Sequence, residues 1–197
     1  MVKDKVDLRI VKTRKAIKES FLKLVQTKGY ERITVQDIAD EAMINRNTFY
    51  LHYVDKPDLM EKLCQENVEK LNVCFSLEVN NFHESSKELL ISVLNNLFNV
   101  IKSNMVFFKT MLSQNGQPHF STYLKEALKT FFLAGISKSH NHLKMTVGLE
   151  YMISGLVGVI GLWIMDSEQY QVEEIIEQLS EIHFKNVLDL LKNIQPQ

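Results

Sequence analysis

The sequence predicts an all-helical protein, and three observations support that prediction. Only 7 of the 197 residues are glycine and 3 are proline, so breaks between helices are few. Leu, Lys, Glu and Gln, which favour helices, occur throughout the chain. Apolar residues recur three or four positions apart, as the buried face of an amphipathic helix requires. We therefore expect about nine helices, in an N-terminal three-helix domain over residues 1–56 and a larger helical domain over residues 57–197.

The first predicted helix covers residues 10–28. Gly29 follows it and predicts its end, because glycine readily adopts the left-handed conformation that terminates helices. Apolar side chains at helical spacing predict the buried face of this helix. They are Ile10, Ala16, Ile17, Phe21, Leu24 and Val25.

A second helix is predicted to begin at Thr34. The Thr34 hydroxyl can cap the free N–H groups of the first turn while Asp37 reaches back, which makes a Thr-x-x-Asp capping box. Residues 43–44 then form a short connection, and Asn45 is a good N-cap for a third helix through Tyr53. The sequence therefore predicts two short helices joined by a tight connection.

The third predicted helix has an inward and an outward face. Phe49 and Tyr53 are four positions apart, so they point the same way and hold the helix against a core. Polar and aromatic side chains are left for the outward face, namely Arg46, Asn47, Tyr50 and, less surely, Thr48. A polar, aromatic second helix after a tight connection is typical of a unit that reads DNA.

Asp55 is predicted to cap a fourth, long helix. Pro57 falls in its first turn, where proline loses little because that N–H has no helical partner. Polar or helix-breaking segments separate the helices further along the chain. Those helices are predicted near residues 85–103, 105–114, 118–137, 141–166 and 172–193.

The charge distribution separates the two predicted domains. The net charge is −1, but residues 1–56 hold 12 Lys/Arg against 8 Asp/Glu, whereas residues 57–197 hold 11 against 16. A basic part favours contact with phosphate, and an acidic part stays away from it. The asymmetry suggests that the first domain faces DNA, although scatter alone often produces a difference of this size.

Several other kinds of site are not supported by the sequence. Cys64 and Cys74 lie ~15 Å apart along one predicted helix, too far for a disulfide. His140 and His142 face different ways on a helix and make no metal pair. The apolar run over residues 151–165 is shorter than the ~20 residues that span a bilayer, and the N-terminus lacks a signal peptide's apolar run. We expect a cytoplasmic protein with no cofactor, no metal, no catalytic site and no membrane association.

The last two predicted helices carry broad apolar surfaces. Gly155, Gly158 and Gly161 recur every three residues, which allows another helix backbone to approach closely. Two interpretations stay open: a helix central to its own core, or a helix covered by the core on one side and by a partner, such as a second copy of the chain, on the other. The candidate dimer-interface residues are Tyr151, Gly155, Gly158, Leu162, Ile175, Leu179 and Ile182.

The N-terminal third of the chain resembles a known family in the order and spacing of its residues. The matching positions are Phe21, Gly29, Thr34, Val35, Ile38, Ala39, Ala42, Thr48, Tyr50, Tyr53, Lys56 and Leu59. They resemble the DNA-binding domain of TetR/AcrR-type bacterial transcriptional regulators. Asn45 stands where that pattern usually has Ser, and Asn47 stands where Gly is common, which adds a side chain able to bond an adenine edge. The remainder is more weakly similar to the regulatory halves of that family.

The resemblance implies a set of DNA contacts. Residues 46–48, at the N-terminus of the recognition helix, would meet base edges in the major groove. Tyr50, Lys56 and the helix N-terminus at Thr34 would contact phosphates. His52 is a further candidate, although a histidine on a helix surface more often faces solvent or packs. The candidate DNA contacts are therefore Thr34, Arg46, Asn47, Thr48, Tyr50, His52 and Lys56.

The resemblance also implies a homodimeric repressor that binds a palindromic double-stranded DNA operator and is controlled by a small apolar or aromatic effector. The candidate effector-pocket residues are Phe98, Phe107, Phe108, Met111, Phe120, Tyr123 and Phe131. The same residues also serve as ordinary core. Two alternatives remain. One is a co-activator controlled by a protein partner, since the C-terminal helices weakly resemble regulators of dihydroxyacetone kinase operons, and the other is a helical interaction or carrier module that does not bind DNA.

Overall fold

The structure, a computed structural model, is helical throughout the part of the chain that it describes. That part comprises residues 7–79, 87–114, 116, 119–134 and 142–192. Nine α-helices and one short 3-10 helix make up the regular structure of these ranges. The predicted all-helical class is confirmed.

The helix bounds lie within a few residues of the predicted ones. The elements are α1 (Leu8–Lys28), the 3-10 helix (Tyr30–Arg32), α2 (Val35–Glu41), α3 (Arg46–Tyr50), α4 (Lys56–Val79), α5 (Lys87–Ser103), α6 (Met105–Leu112), α7 (Phe120–Ala134), α8 (His142–Met165) and α9 (Val172–Lys192). They form two compact units. The N-terminal unit extends to Glu66 and includes described residues between 113 and 117, and the C-terminal unit holds the rest. The predicted boundary after residue 56 coincides with the start of α4 and stays a prediction.

The two ends of α1 are set by capping groups close in sequence. The Asp7 carboxylate accepts a hydrogen bond from the Arg9 N–H at 2.9 Å, so the helix begins two residues earlier than predicted. Gly29 ends it as predicted, with a φ of 84° and its N–H bonded to the Val25 carbonyl at 2.9 Å. Gly29 suits this position because a residue with a Cβ rarely adopts such a φ.

The core of the N-terminal unit lies between α1, α2, α3 and the first turns of α4. Its apolar members are at most 8% exposed: Ile17, Phe21, Leu24, Val25, Ile33, Ile38, Ala39, Ala42, Phe49, Tyr53, Leu59, Met60, Leu63 and Cys64. The prediction for Ile10 was wrong, since this side chain is 43% exposed and the buried part of α1 starts only at Ile17. The inward face predicted for the third helix is confirmed, since Phe49 and Tyr53 are both buried.

The third helix ends at Tyr50, three residues before its predicted end. The N–H groups of His52 and Tyr53 both donate to the Phe49 carbonyl, at 2.9 and 3.0 Å, which tightens the chain into a turn. Asp55 then caps α4 as predicted, accepting from the Asp58 N–H at 2.7 Å. The early end turns the chain so that α4 can begin, while Tyr53 still reaches the core.

The C-terminal unit is built around α8. α6, α7 and α9 each pack on α8, and α5 packs on α9. Aromatic rings interlock edge to face inside it: the ring centre of Phe107 lies 5.3 Å from those of Phe108 and Phe120, and that of Phe98 lies 5.2 Å from that of Trp163. All five rings are at most 4% exposed. Such offset aromatic contacts stabilise a core beyond the burial of area alone.

One side of α8 is buried in the core of its own chain and the other is exposed, so a helix buried on every face is ruled out, and coverage of the exposed side by a second copy stays a prediction. The buried side consists of Leu149, Met152, Ile153, Leu156, Val157, Ile160, Trp163 and Ile164. The exposed side, here called the outer face of α8, consists of Leu143, Val147, Tyr151, Gly155, Gly158, Leu162 and Met165. A run of exposed apolar side chains along one helix is typical of a surface that a partner covers.

By length and composition, the segment Met145–Met165 could also cross a membrane. The sequence analysis excluded a membrane span because it counted only the apolar run over residues 151–165. The apolar segment has 21 residues, so that argument from length was wrong. Burial weighs against a membrane, because 44% of the apolar window is buried inside the protein. The core helix of a soluble protein passes the same test, and α8 is therefore weak evidence for membrane insertion.

Candidate nucleic-acid interface

The capping box predicted at Thr34 is present. The Thr34 hydroxyl accepts a hydrogen bond from the Asp37 N–H at 3.1 Å, and the Asp37 carboxylate accepts from the Thr34 N–H at 2.8 Å. The same hydroxyl donates to Asp37 Oδ2 at 2.6 Å. The Thr34 hydroxyl is thus already bonded, and a carboxylate occupies the end of α2 where a phosphate was expected.

Lys28 completes this cluster. Its Nζ lies 2.7 Å from Asp37 Oδ1. The hydrogen bond from Lys28, followed by those from Thr34, lowers the pKa of Asp37 well below its usual range. The positive charge of Lys28 is consequently paired with the Asp37 carboxylate of the same chain.

The depressed pKa of Asp37 predicts a pH dependence of stability. Because the folded pKa lies below the unfolded value of about 4, the stabilisation is complete above that pH and is lost as the pH falls through the folded pKa. We expect Asp37→Asn to be less stable than the wild type at pH 7 and to lose less further stability on acidification to pH 3. Thermal melts at the two pH values measure this, and parallel losses in both proteins would contradict it.

The connection between α2 and α3 is a tight turn held by backbone hydrogen bonds. The Met43 N–H donates to the Asp40 carbonyl at 3.1 Å, and the Ile44 N–H donates to the Ala39 carbonyl at 3.0 Å. Met43 has a φ of 53°, in the left-handed region that favours glycine. Sequence reasoning missed this feature. A signal was available, because so short a turn commonly requires a left-handed residue and none of its residues is glycine.

The N-terminus of α3 is held by the cap that the sequence predicted. The Asn45 side chain accepts a hydrogen bond from the Asn47 N–H at 2.8 Å. Arg46 and Asn47 are exposed, Thr48 is half-buried, and Phe49 is fully buried. The predicted division of α3 into an outward polar face and an inward apolar face therefore describes the geometry.

Arg46 and Tyr50 form a pair on the exposed side of α3. Arg46 Nη2 donates a hydrogen bond to the Tyr50 hydroxyl at 3.1 Å, and the guanidinium carbon lies 5.6 Å from the centre of the Tyr50 ring. The residues are four positions apart, so they lie one above the other on the helix. The pair holds the guanidinium at the surface of α3, where its fork of donors could meet guanine or a phosphate.

His52 is half-buried in the turn after α3. Burial, and to a smaller extent the nearby charge of Arg14, lowers the pKa of His52 below its ordinary value. The lowered pKa disfavours the charged imidazolium and so weakens any attraction of His52 to a phosphate.

Lys56 has partners inside the N-terminal unit. Its Nζ donates hydrogen bonds to the carbonyls of Tyr30 and Ile33, at 2.8 and 3.1 Å, and lies 4.4 Å from the centre of the Tyr30 ring. These contacts tie the start of α4 to the segment that joins α1 and α2. The expected phosphate contact of Lys56 stays a prediction, and at least two of its three N–H donors are already engaged.

The candidate pocket residues of the C-terminal unit lie mostly in its core. Phe98, Phe107, Phe108, Met111 and Phe120 are at most 4% exposed. Tyr123 is 40% exposed, and the side chain of Phe131 lies outside the described residues. The structure thus brings five of the seven candidates together in the core.

The candidate dimer-interface residues divide between surface and core. Tyr151, Leu162 and Ile182 are 71%, 54% and 56% exposed, and Gly155 and Gly158 are also exposed. Ile175 is half-buried. Leu179 is only 3% exposed, so it belongs to the core of its own chain. A shallow groove of about 720 Å³ runs along α8 and is lined by Thr146, Val147, Glu150, Tyr151, Ser154 and Gly155.

The fold and this surface define a class of protein. A capped helix, a tight turn and a second helix with an exposed Arg–Asn–Tyr face, attached to a larger helical unit, make a helix-turn-helix transcriptional regulator. Residues 21–63 match the family model described as bacterial regulatory proteins of the tetR family, and residues 88–185 match a transcriptional regulator C-terminal region. The chain belongs to the TetR family, whose members are DNA-binding transcriptional regulators rather than enzymes.

Similar proteins agree with this assignment. The HTH-type transcriptional regulator YxbF of Bacillus subtilis (strain 168) is 28% identical over 194 residues, which cover 95% of this chain and 47% of that protein. The chain thus spans less than half the length of the curated relatives that it matches.

Two solved structures share the fold at low sequence identity. NalD, the secondary repressor of the MexAB-OprM multidrug efflux pump in Pseudomonas aeruginosa, is 20% identical with a TM-score of 0.59, covering 90% of this chain and 96% of its own. The dihydroxyacetone kinase operon activator DhaS is 16% identical with a TM-score of 0.55, covering 93% of this chain and 98% of its own. At this identity the likeness concerns the fold alone.

Proposed function

We propose that the protein is a cytoplasmic, homodimeric transcriptional repressor that binds a palindromic DNA operator through one helix-turn-helix per subunit. The observation that carries this proposal is the exposed polar face of α3, a helix whose N-terminus is capped by Asn45. The side chains of this face do not hold α3 against the core. Phe49 on the buried side of the helix does so, together with Tyr53 in the turn that follows it. Exposed Arg and Asn at the N-terminus of a recognition helix suit base edges in the major groove.

The proposed DNA contacts divide by the kind of group that they meet. Arg46, Asn47 and Thr48 would meet base edges, and Tyr50 would contact a phosphate while it supports the Arg46 guanidinium. Thr34, His52 and Lys56 carry less weight in this proposal. The Thr34 hydroxyl is bonded within the capping box, burial disfavours the charged form of His52, and the Lys56 ammonium is bonded to carbonyls.

The outer face of α8 supports the proposed dimer. Apart from the backbone of its own helix, a Cβ added at Gly155 or Gly158 would meet no atom of the described residues within 4 Å, so packing among those residues does not require glycine there. Tyr151 and Leu162 flank these glycines and are exposed, and Ile182 of α9 is exposed as well. A second copy would cover this apolar surface and set two copies of α3 about 34 Å apart, one turn of DNA, or a near multiple.

We also propose that a small apolar or aromatic effector controls the protein. The rings expected to line its site pack against one another, so an effector would have to part them or bind elsewhere. This interlocked core favours one second candidate, a co-activator that responds to a protein partner, as the fold shared with the activator DhaS also allows. A small molecule that binds this protein and changes the protein's affinity for the operator would decide for the effector-controlled repressor.

Asn47 gives the direct test of the proposed function. We expect full-length wild-type protein to enrich a palindromic sequence from a random duplex pool, and Asn47→Ala to bind that operator about ten to a hundred times more weakly. The loss should concentrate at one base pair of each half-site, because Asn47 would bond one base edge. Competition titrations against single-base-pair operator variants measure this.

Asn95→Ala is the matched control, since it makes the same change at an exposed position of α5 in the C-terminal unit. It should bind like the wild type. If neither the wild type nor the control retains any duplex at low salt, the chain is instead a helical interaction or carrier module, and the proposal fails.

A further inference from the structure

Met43 occupies an unfavourable backbone conformation in the turn before the recognition helix. Its φ of 53° lies in the left-handed region, and among the described residues it is the non-glycine residue that does so. For an L-amino acid, the Cβ crowds the following carbonyl oxygen in that region, a cost that glycine does not incur. A glycine at this position would therefore form the same turn more easily.

Within the described part of the chain, the Met43 side chain does nothing to offset this strain. The Met43 side chain is 92% exposed, so it contributes little packing. The hydrogen bonds of the turn come from the backbone N–H groups of residues 43 and 44, and any residue except proline would supply them. Neither the core nor the turn geometry explains a methionine here. A strained, solvent-facing residue beside a binding surface points to a contact with a ligand.

The place of Met43 in the sequence indicates which ligand. Met43 stands two residues before the N-cap Asn45 and three before Arg46, at the end of α3 that is proposed to enter the major groove. A thioether side chain is long, flexible and apolar, and it has no donor for a phosphate. In the major groove, the apolar group on a base edge is the C5-methyl of thymine.

We propose that Met43 is a specificity-determining residue that packs its side chain against the C5-methyl group of a thymine in the operator. This inference rests on the proposed DNA-binding function and adds to it a contact outside the recognition helix. It also implies that operator half-sites carry a thymine at a set distance from the base pair that Asn47 contacts.

The inference predicts opposite effects of one substitution on stability and on binding. Met43→Gly removes the strain and should raise the melting temperature by about 2–4 °C. It also removes the contact and should weaken binding to the wild-type operator about tenfold. A purely structural role would move stability alone, or would move both quantities in the same direction.

The experiment uses full-length protein and the operator that the wild type selects from a random duplex pool. Binding is measured by fluorescence anisotropy at one fixed salt concentration, because affinity depends steeply on salt. Each thymine of the operator is replaced in turn by uracil, which removes the methyl group and keeps the base pair. We expect one position per half-site at which uracil weakens the wild type but leaves Met43→Gly unaffected.

Met43→Ala serves as the matched control. It removes the side chain beyond Cβ but keeps the left-handed strain, so it should lose affinity as Met43→Gly does without the rise in melting temperature. Wild-type affinity in Met43→Gly, or the absence of a uracil-sensitive position, would overturn the inference and leave the proposed function standing. Failure of the wild type to enrich any sequence would overturn the proposed function, and the inference with it.

Discussion

Replacing Lys56 with methionine should lower the free energy of unfolding by about 1.5–3 kcal/mol, the usual contribution of hydrogen bonds to a charged group. Methionine keeps an aliphatic stem but loses the ammonium that bonds the Tyr30 and Ile33 carbonyls. Urea unfolding of the full-length protein measures the loss. Trp163, the single tryptophan, reports the C-terminal unit by fluorescence, so we expect the transition followed by circular dichroism to move more than the fluorescence transition.

The same variant decides between the two roles of Lys56. A phosphate contact predicts that its removal makes the dependence of log affinity on log salt shallower by about one unit. The internal hydrogen bonds instead predict an unchanged salt slope, measured at a temperature at which both proteins are folded. Lys109→Met, at an exposed position of α6, controls for the loss of one positive charge. Unchanged stability together with a shallower slope would restore the phosphate contact.

Replacing Gly158 with leucine should weaken dimerisation at least a hundredfold and leave a folded monomer at micromolar concentration. Among the residues that the structure describes, the added side chain would meet open space, because a Cβ at Gly158 contacts none of them within 4 Å outside the backbone of its own helix. In the dimer it would stand where a partner helix approaches. Removing a helical glycine also favours the helix by up to about 1 kcal/mol, so the melting temperature of the isolated protomer should not fall.

Sedimentation velocity across a concentration series measures the effect on Gly158→Leu. Lys102→Leu places the same side chain at an exposed position of α5 and should leave the dimer intact. A Gly158→Leu protein that dimerises like the wild type would show that the outer face of α8 is not the interface. The proposal that this face brings two recognition helices together would then be abandoned.

Local signals in the sequence predicted much of the N-terminal unit. The capping box at Thr34 and the caps at Asn45 and Asp55 depend on groups no more than three residues away, so residue order alone predicts them. The end of α3 was missed by three residues because it depends on the turn that leads into α4 rather than on a local signal. Helix ends of this kind follow tertiary packing more than propensity.

The candidate site could be predicted only in part. The exposed positions of Arg46, Asn47 and Tyr50 follow from helical periodicity once Phe49 and Tyr53 are assigned to the core. Periodicity could not predict that Arg46 bonds Tyr50, because both side chains have several alternative rotamers at a surface. In the C-terminal unit, composition could not separate an aromatic pocket from an aromatic core, since both use the same residues.

The sequence by itself determined the helical class, the capped helix-turn-helix and its outward polar face, because each depends on residues within one or two helical turns. Tertiary structure decided which partners the longer-range groups have. Lys56 bonds carbonyls 23 and 26 residues away, and the left-handed Met43 follows from how α2 and α3 must meet. It also decided which side of the apolar C-terminal part of α8 is buried, since the packing of α6, α7 and α9 distinguishes its faces.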